Sequence, residues 1–135
     1  MIPEKIHVEI VTPERRVLAR DVDEVVLPGA EGMFGVRPGH APLLAALGPG
    51  VGTVRGEGRD EVVAIGGGFA EVLPDRVIVL AETCERAEEI DVSRAEERAR
   101  ELSAELRRSA RPEDLEVIRL RMLKHLARVR AARRA

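Results

Sequence analysis

Three stretches hold residues whose types and spacing could do chemistry. The run EEIDVSRAEERAR (88–100) places Asp91, a good helix N-cap, ahead of Arg94 and Arg98. Arginines at i and i+4 repel, and both fall in the first turns of a helix, where free N–H groups already favour an anion. A polyphosphate would relieve both strains; the plainer alternative pairs Arg94 with Glu97 and Arg98 with Glu101 at i+3. The tail RLRMLKHLARVRAARR is basic, and within 116–135 the only acid is Glu116. Attraction to a helix C-terminus fades beyond the last turn, so Arg119, Arg121 and Lys124 must answer to something else. The third stretch, GAEGMFGVRPGH (29–40), spaces Gly29, Gly32, Gly35 and Gly39 for turns that need positive φ. Neither it nor GGG at 66–68 is followed by the Lys-Ser/Thr and helix of a phosphate-binding loop.

Other chemistry finds little support. Ser93, Ser103 and Ser109 lie in the helical part of the chain, away in sequence from any histidine, and Glu82, Glu85, Glu88 and Glu89 read as an acidic linker in preference to an acid/base pair. His7, His40 and His125 stand in separate contexts and Cys84 is alone, so no metal-ligand spacing arises and no internal disulfide can form. His40, at a turn tip in PGHAP, reads first as a histidine that hydrogen-bonds its own turn. Nucleic-acid binding through the basic tail is disfavoured by the absence of Trp and Tyr and by the charge of the first part. Residues 1–90 carry 9 basic and 16 acidic side chains, whereas 91–135 carry 13 and 8. No run approaches the roughly 20 apolar residues of a membrane span, and the start MIPEKIHVEI lacks a leader pattern, so a soluble, untargeted chain is the expectation.

Two kinds of element must position these residues. Up to about residue 86, KIHVEIVT alternates, and RRVLAR, DEVVLP, GVGTVRG, EVVAIGGGFAEVL and DRVIVLAE follow, broken by PG, GEG and PD. The spacing predicts an antiparallel β-sandwich or flattened barrel. After Asp91 the period changes. Val92, Ala95, Ala99, Leu102 and Leu106 draw one helical stripe; RRSARPED breaks it, with Pro112 suited to a new first turn; Leu115, Ile118, Met122, Leu126 and Val129 draw a second. An antiparallel two-helix hairpin over 88–135, behind a sandwich over 1–87, is the predicted architecture. Such a hairpin cannot bury both stripes alone, so it must dock on the sandwich, on a partner, or on each in turn.

VLPGAEGMFGVRPGHAPLLAALGPGVGTV (26–54), GGGFAEV (66–72) and EIDVSRA (89–95) stand in the order found in the epsilon subunit of bacterial F-type rotary ATP synthases, and the chain resembles that family along essentially its whole length. The resemblance implies a non-catalytic rotor subunit on the cytoplasmic face of the membrane, peripheral, that couples rotation to proton flow. Its implied partners are the gamma subunit, the proteolipid ring, and the alpha and beta subunits of the catalytic head through the last helix. It implies a ring contact through Glu31, Arg37 and His40, and an inhibitory basic face of Arg119, Arg121, Lys124 and Arg128. It requires no cofactor, but implies ATP as a regulatory ligand held by Glu85, Ile90, Asp91, Arg94 and Ala95 on one side and by Lys124 and Arg128 on the other. Lys124 stands where an arginine fork is expected, and lysine offers a point charge instead. The competing function is a stand-alone nucleotide-binding or nucleic-acid-binding module that uses the basic C-terminal helix.

Overall fold

The structure, a computed structural model, describes residues 1–109 and 111–134. Eight strands come first: β1 (Ile6–Val11), β2 (Arg16–Val22), β3 (Glu24–Gly29), β4 (Gly32–Val36), β5 (Leu43–Gly56), β6 (Arg59–Val72), β7 (Arg76–Ala81) and β8 (Cys84–Arg86). A 3-10 turn (Ala87–Glu89) leads into α1 (Val92–Arg108) and α2 (Pro112–Arg134). The predicted sandwich and helical hairpin are both present.

Strand order is β2-β1-β7-β6-β5-β3-β4, with β8 also paired to β6. All pairs are antiparallel except β1 with β7, which run parallel. The two long strands carry the fold from one layer to the other. Their ladder runs from Leu43↔Val72 to Gly56↔Arg59 and skips one position, between Leu47↔Gly68 and Pro49↔Gly66. There β6 changes its other neighbour, from β8 at Val63–Ile65 to β7 at Gly68–Val72. The GGG triplet makes that corner: Gly67 and Gly68 have φ of 112° and 134°, and a Cβ on Gly68 would lie 2.1 Å from the Leu80 carbonyl oxygen.

In the loop-rich stretch only Gly32 and Gly39 adopt positive φ. Gly29 is needed for a different reason than a turn: a Cβ there would lie 2.5 Å from the Gly32 carbonyl oxygen, across the β3–β4 hairpin. Gly35 sits within β4 as ordinary extended backbone.

Alternation along the strands builds the main core. Ile6, Val8 and Ile10 of β1 are fully buried, as are Val25 and Leu27 of β3 and Val77 and Val79 of β7. A second, separate cluster joins Val51, Val62 and Ala64 of the long strands to Ala87 and Ile90 of the linker and to Ala131 of α2. Helix α1 packs on α2, and α2 packs on β5 and β6.

The α1 stripe is as expected, with Ala95, Ala99 and Leu102 buried. In α2 the stripe is incomplete. Ile118 and Val129 are buried, but Leu126 is 39% exposed, and Ala127 and Ala131 are fully buried instead. At 100° per residue Ala127 lies about 180° around the helix from Ile118. The helix therefore buries two opposite faces, one on α1 and one on the sheet, and Leu126 falls between them. Small residues on the sheet-facing side let the helix approach the strands closely.

Candidate functional site

The N-terminus of α1 is capped as its sequence suggests: Asp91 Oδ1 accepts the backbone N–H of Arg94 at 3.1 Å. Ahead of it the linker is held to the sandwich by Glu89. Its carboxylate accepts the backbone N–H of Arg86 at 3.1 Å and faces Arg15 at 2.9 Å, and these contacts, Arg15 foremost, hold it below the usual carboxylate range. Ile90 is buried in the second cluster, and Ala95 is buried along α1. Arg98 pairs with Glu101, as the plainer reading expects. Among the described residues Arg94 forms no ion pair with Glu97 or any other acid.

Across from the linker, β8 and α2 meet at a charged clamp. Arg128 donates Nε–H to Glu85 Oε1 at 2.6 Å and Nη2–H to Oε2 at 3.4 Å, with its side chain only 14% exposed. Arg128 Nη1 also donates to His125 Nδ1 at 3.1 Å. Because arginine has no acceptor, that imidazole is neutral and carries its proton on Nε2. Burial and the neighbouring cations Arg128, Lys124 and Arg98 push the His125 pKa below its ordinary value. Glu85, Lys124, His125 and Arg128 line a cleft of about 330 Å³ together with Thr83, Cys84 and Arg15. Burial raises the Cys84 thiol to about 12, so it is unreactive.

Of the residues assigned to a nucleotide, Glu85, Lys124 and Arg128 thus share one cleft, whereas Ile90 and Ala95 are packed as core and Asp91 serves the helix cap. His125, Glu14 and Arg15 add to the charged lining of the cleft and were not assigned to it from sequence, while Arg98, already singled out beside Arg94, lies near enough to act on His125. The signal for His125 was its position three residues before Arg128 on one helix.

The basic tail is not one face. Arg121, Lys124 and Arg128 lie on one side of α2, but Arg119 is about 160° around the helix from Arg121. Arg119 stands 4.0 Å from Glu116 at the edge of ion-pair range. Lys124 and Arg128 are turned toward the sandwich while the hairpin is docked.

The residues assigned to a ring contact lie around the β3–β4 hairpin. Glu31 is exposed in the turn, and Arg37, 77% exposed, pairs with Glu24 at 3.1 Å. His40 hydrogen-bonds its own turn through Nδ1 and the Ala41 carbonyl oxygen at 2.6 Å. Beside them the sheet exposes an apolar row that sequence reasoning did not find: Ala46, Phe69 and Leu80 are cross-strand neighbours, and Phe69 and Leu80 are 56% and 58% exposed. Leu44, at 72%, adjoins it.

The family model for the β-sandwich domain of the ATP synthase delta/epsilon chain matches residues 5–87. The chain belongs to the ATP synthase epsilon-chain family. It is 48% identical to the epsilon chain of Moorella thermoacetica over 130 residues, 94% of this chain and 96% of that one. With the epsilon chain of Carboxydothermus hydrogenoformans it shares 52% identity over 101 residues, 73% of this chain and 75% of the other. Its fold matches a chain in the Euglena gracilis mitochondrial ATP synthase assembly of OSCP, F1 and c-ring, at a TM-score of 0.83 and 24% identity, covering 94% of this chain and 81% of that one. Epsilon-family membership thus accounts for the sandwich followed by the hairpin. Among the described residues no helix is long and apolar enough to cross a membrane, and no group of His, Cys, Asp and Glu side chains could hold a metal.

Proposed function

We propose that this chain is a non-catalytic central-stalk subunit of a proton-translocating ATP synthase, and that its hairpin restrains ATP hydrolysis when it leaves the sandwich. The observation that carries this reading is that α2 docks through small and charged side chains and not through large apolar ones. Beyond the main core, α2 meets the sheet through the buried Ala127 and Ala131, the Glu85–Arg128 clamp, and Arg134 donating to Thr53 Oγ1 at 3.3 Å. A contact this limited can exchange for another of similar strength, in which α2 meets acidic segments of the alpha and beta subunits.

The sandwich supplies the rotor contacts. Gamma packs on the apolar row of Phe69, Leu80 and Leu44, and the proteolipid ring meets Glu31, Arg37 and His40. On this reading the chain works at the cytoplasmic face of the membrane. ATP is the regulatory ligand: its phosphates are drawn to Arg94, Lys124 and Arg128, and binding only the docked hairpin it weakens inhibition by mass action.

Deleting residues 112–135 is expected to raise ATP hydrolysis by the assembled complex, at low ATP and with the proton gradient collapsed, without impairing assembly. An unchanged rate would make the hairpin a structural clamp. ATP at 100 times its Kd should stabilise the isolated chain by about 2.7 kcal/mol. Arg94→Ala should remove most of that gain while leaving the ATP-free melting temperature in place.

A further inference from the structure

His125 has no assigned role in the reading above, yet it touches the side chain that clamps the hairpin to the sandwich. We propose that His125 is a proton-operated release for the docked hairpin: its neutral ring accepts Arg128 Nη1–H and keeps that guanidinium aligned on Glu85, and the imidazolium expels it. The docked geometry alone carries this; only its consequence for hydrolysis rests on the proposed function.

Cations outnumber acids among the charges that act on the ring, and Glu14, though it lines the same cleft, is not one of those charges. On α2 itself stand Lys124 and Arg128, and α1 brings Arg98. From the sandwich come Glu85 on β8 and, at the β1–β2 turn, Glu14 and Arg15. Arg15 is engaged with Glu89, and the buried Cys84 thiol stays neutral throughout the relevant range. Glu85 already receives two N–H groups from Arg128. A protonated His125 would turn Nδ1 from acceptor to donor, facing a group that can only donate. It would also add a fourth cation to Lys124, Arg128 and Arg98. Both changes push Arg128 away from the sandwich, and α2 with it.

The direction with pH follows by linkage. The docked state lowers the affinity of His125 for its proton, so the released state binds more of it. Docking therefore carries no penalty from His125 above the ordinary imidazole value of 6.5 and weakens as pH falls from there toward the docked pKa. The docked-to-released ratio should fall by at most about tenfold per pH unit in that window, the limit for one proton. A polyphosphate in the cleft would oppose release, because it supplies the anion that an imidazolium lacks.

The test uses the intact chain with spin labels at Arg59→Cys on the sandwich and Arg107→Cys on the hairpin, and reads the distance distribution at about pH 7.5 and about pH 5.5. One docked distance at the higher pH and a second, longer population at the lower is the expected result. His125→Gln keeps an acceptor for Arg128 and cannot charge, so it should stay docked at both values. His125→Lys should show the longer population at both. Tripolyphosphate should shrink the longer population of the unsubstituted chain at the lower pH. An unchanged distribution in the unsubstituted chain, or the same pH response in His125→Gln, overturns the proposal. Neither outcome bears on whether deleting residues 112–135 speeds hydrolysis, so the two readings fail separately.

Discussion

The two hydrophobic clusters of this chain differ in what they are made of. The main core is closed by branched side chains from both layers, such as Ile6, Ile10, Leu27, Val54 and Ile65. The cluster under α2 meets the helix through Ala131, with Ala132 at its edge. Burying a large aliphatic side chain is worth about 1.5–3 kcal/mol, whereas the methyl of an alanine contributes about 0.8 kcal/mol. One cluster therefore defines the domain, and the other holds a movable part against it. A regulatory dock needs to be weak in this way, since an equilibrium that a ligand or a proton can shift cannot rest on a full core.

Substitutions that separate the two clusters should give their largest effect in the first. Ile10→Ala, at a fully buried position of β1, should lower the unfolding free energy of the whole chain by about 2–5 kcal/mol in urea titrations. Ala131→Asp places an unpaired carboxylate at a fully buried position between α2 and the sheet. It should undock the hairpin and leave the urea midpoint of the sandwich almost unmoved. Rapid tryptic cleavage within α2, against slow cleavage of the parent, would report it. If instead the sandwich loses stability with the hairpin, the two parts are one cooperative unit and the comparison fails.

A smaller effect belongs to the clamp. Glu85→Gln leaves Arg128 partly buried without its carboxylate, which should weaken docking by about 1–3 kcal/mol. The same proteolysis assay should show intermediate cleavage rates, between the parent and Ala131→Asp. Cleavage as fast as in Ala131→Asp would mean that charge, not the apolar contact, dominates the dock.

Much of this was legible in the sequence for physical reasons that differ by element. Alternation in IHVEIV gives β1 and its buried face directly, and Asp91 and Pro112 mark the two helix starts. The direction of the β1–β7 pairing was not legible, because a two-residue period looks the same in parallel and antiparallel partners. The docking of α2 was hidden more deeply. Its sheet-facing side is built from Ala127, Ala131 and the charged Lys124 and Arg128, which no apolar periodicity would select, while the apolar Leu126 is left outside. In the candidate cleft, Glu85, Lys124 and Arg128 were found through resemblance, but His125 looked like one more polar residue of a basic helix. Only the fold shows that its ring lies against Arg128.

The smallest predicted effect sets the two parts against each other through their histidines. His7, at the sandwich edge, lies 2.8 Å from Asp21 Oδ1 and 3.3 Å from Glu9 Oε1, and these carboxylates, Asp21 foremost, raise its pKa. A raised pKa means that the folded edge binds the proton more tightly than the unfolded chain does, so the contribution is complete below 6.5 and is lost as pH rises through the raised value. His125 has the opposite shift and the opposite sign. Acidification should therefore firm the β1–β2 edge while it loosens the hairpin. The His7 side chain is 43% exposed, so screening limits the gain to about 0.2–1 kcal/mol. Urea midpoints of the sandwich, followed from about pH 8.5 to about pH 6, should rise slightly in the parent and stay flat in His7→Gln. Addition of about 1 M salt should erase most of the difference. A rise of equal size in His7→Gln would assign the pH dependence to other groups and leave His7 a passive edge residue.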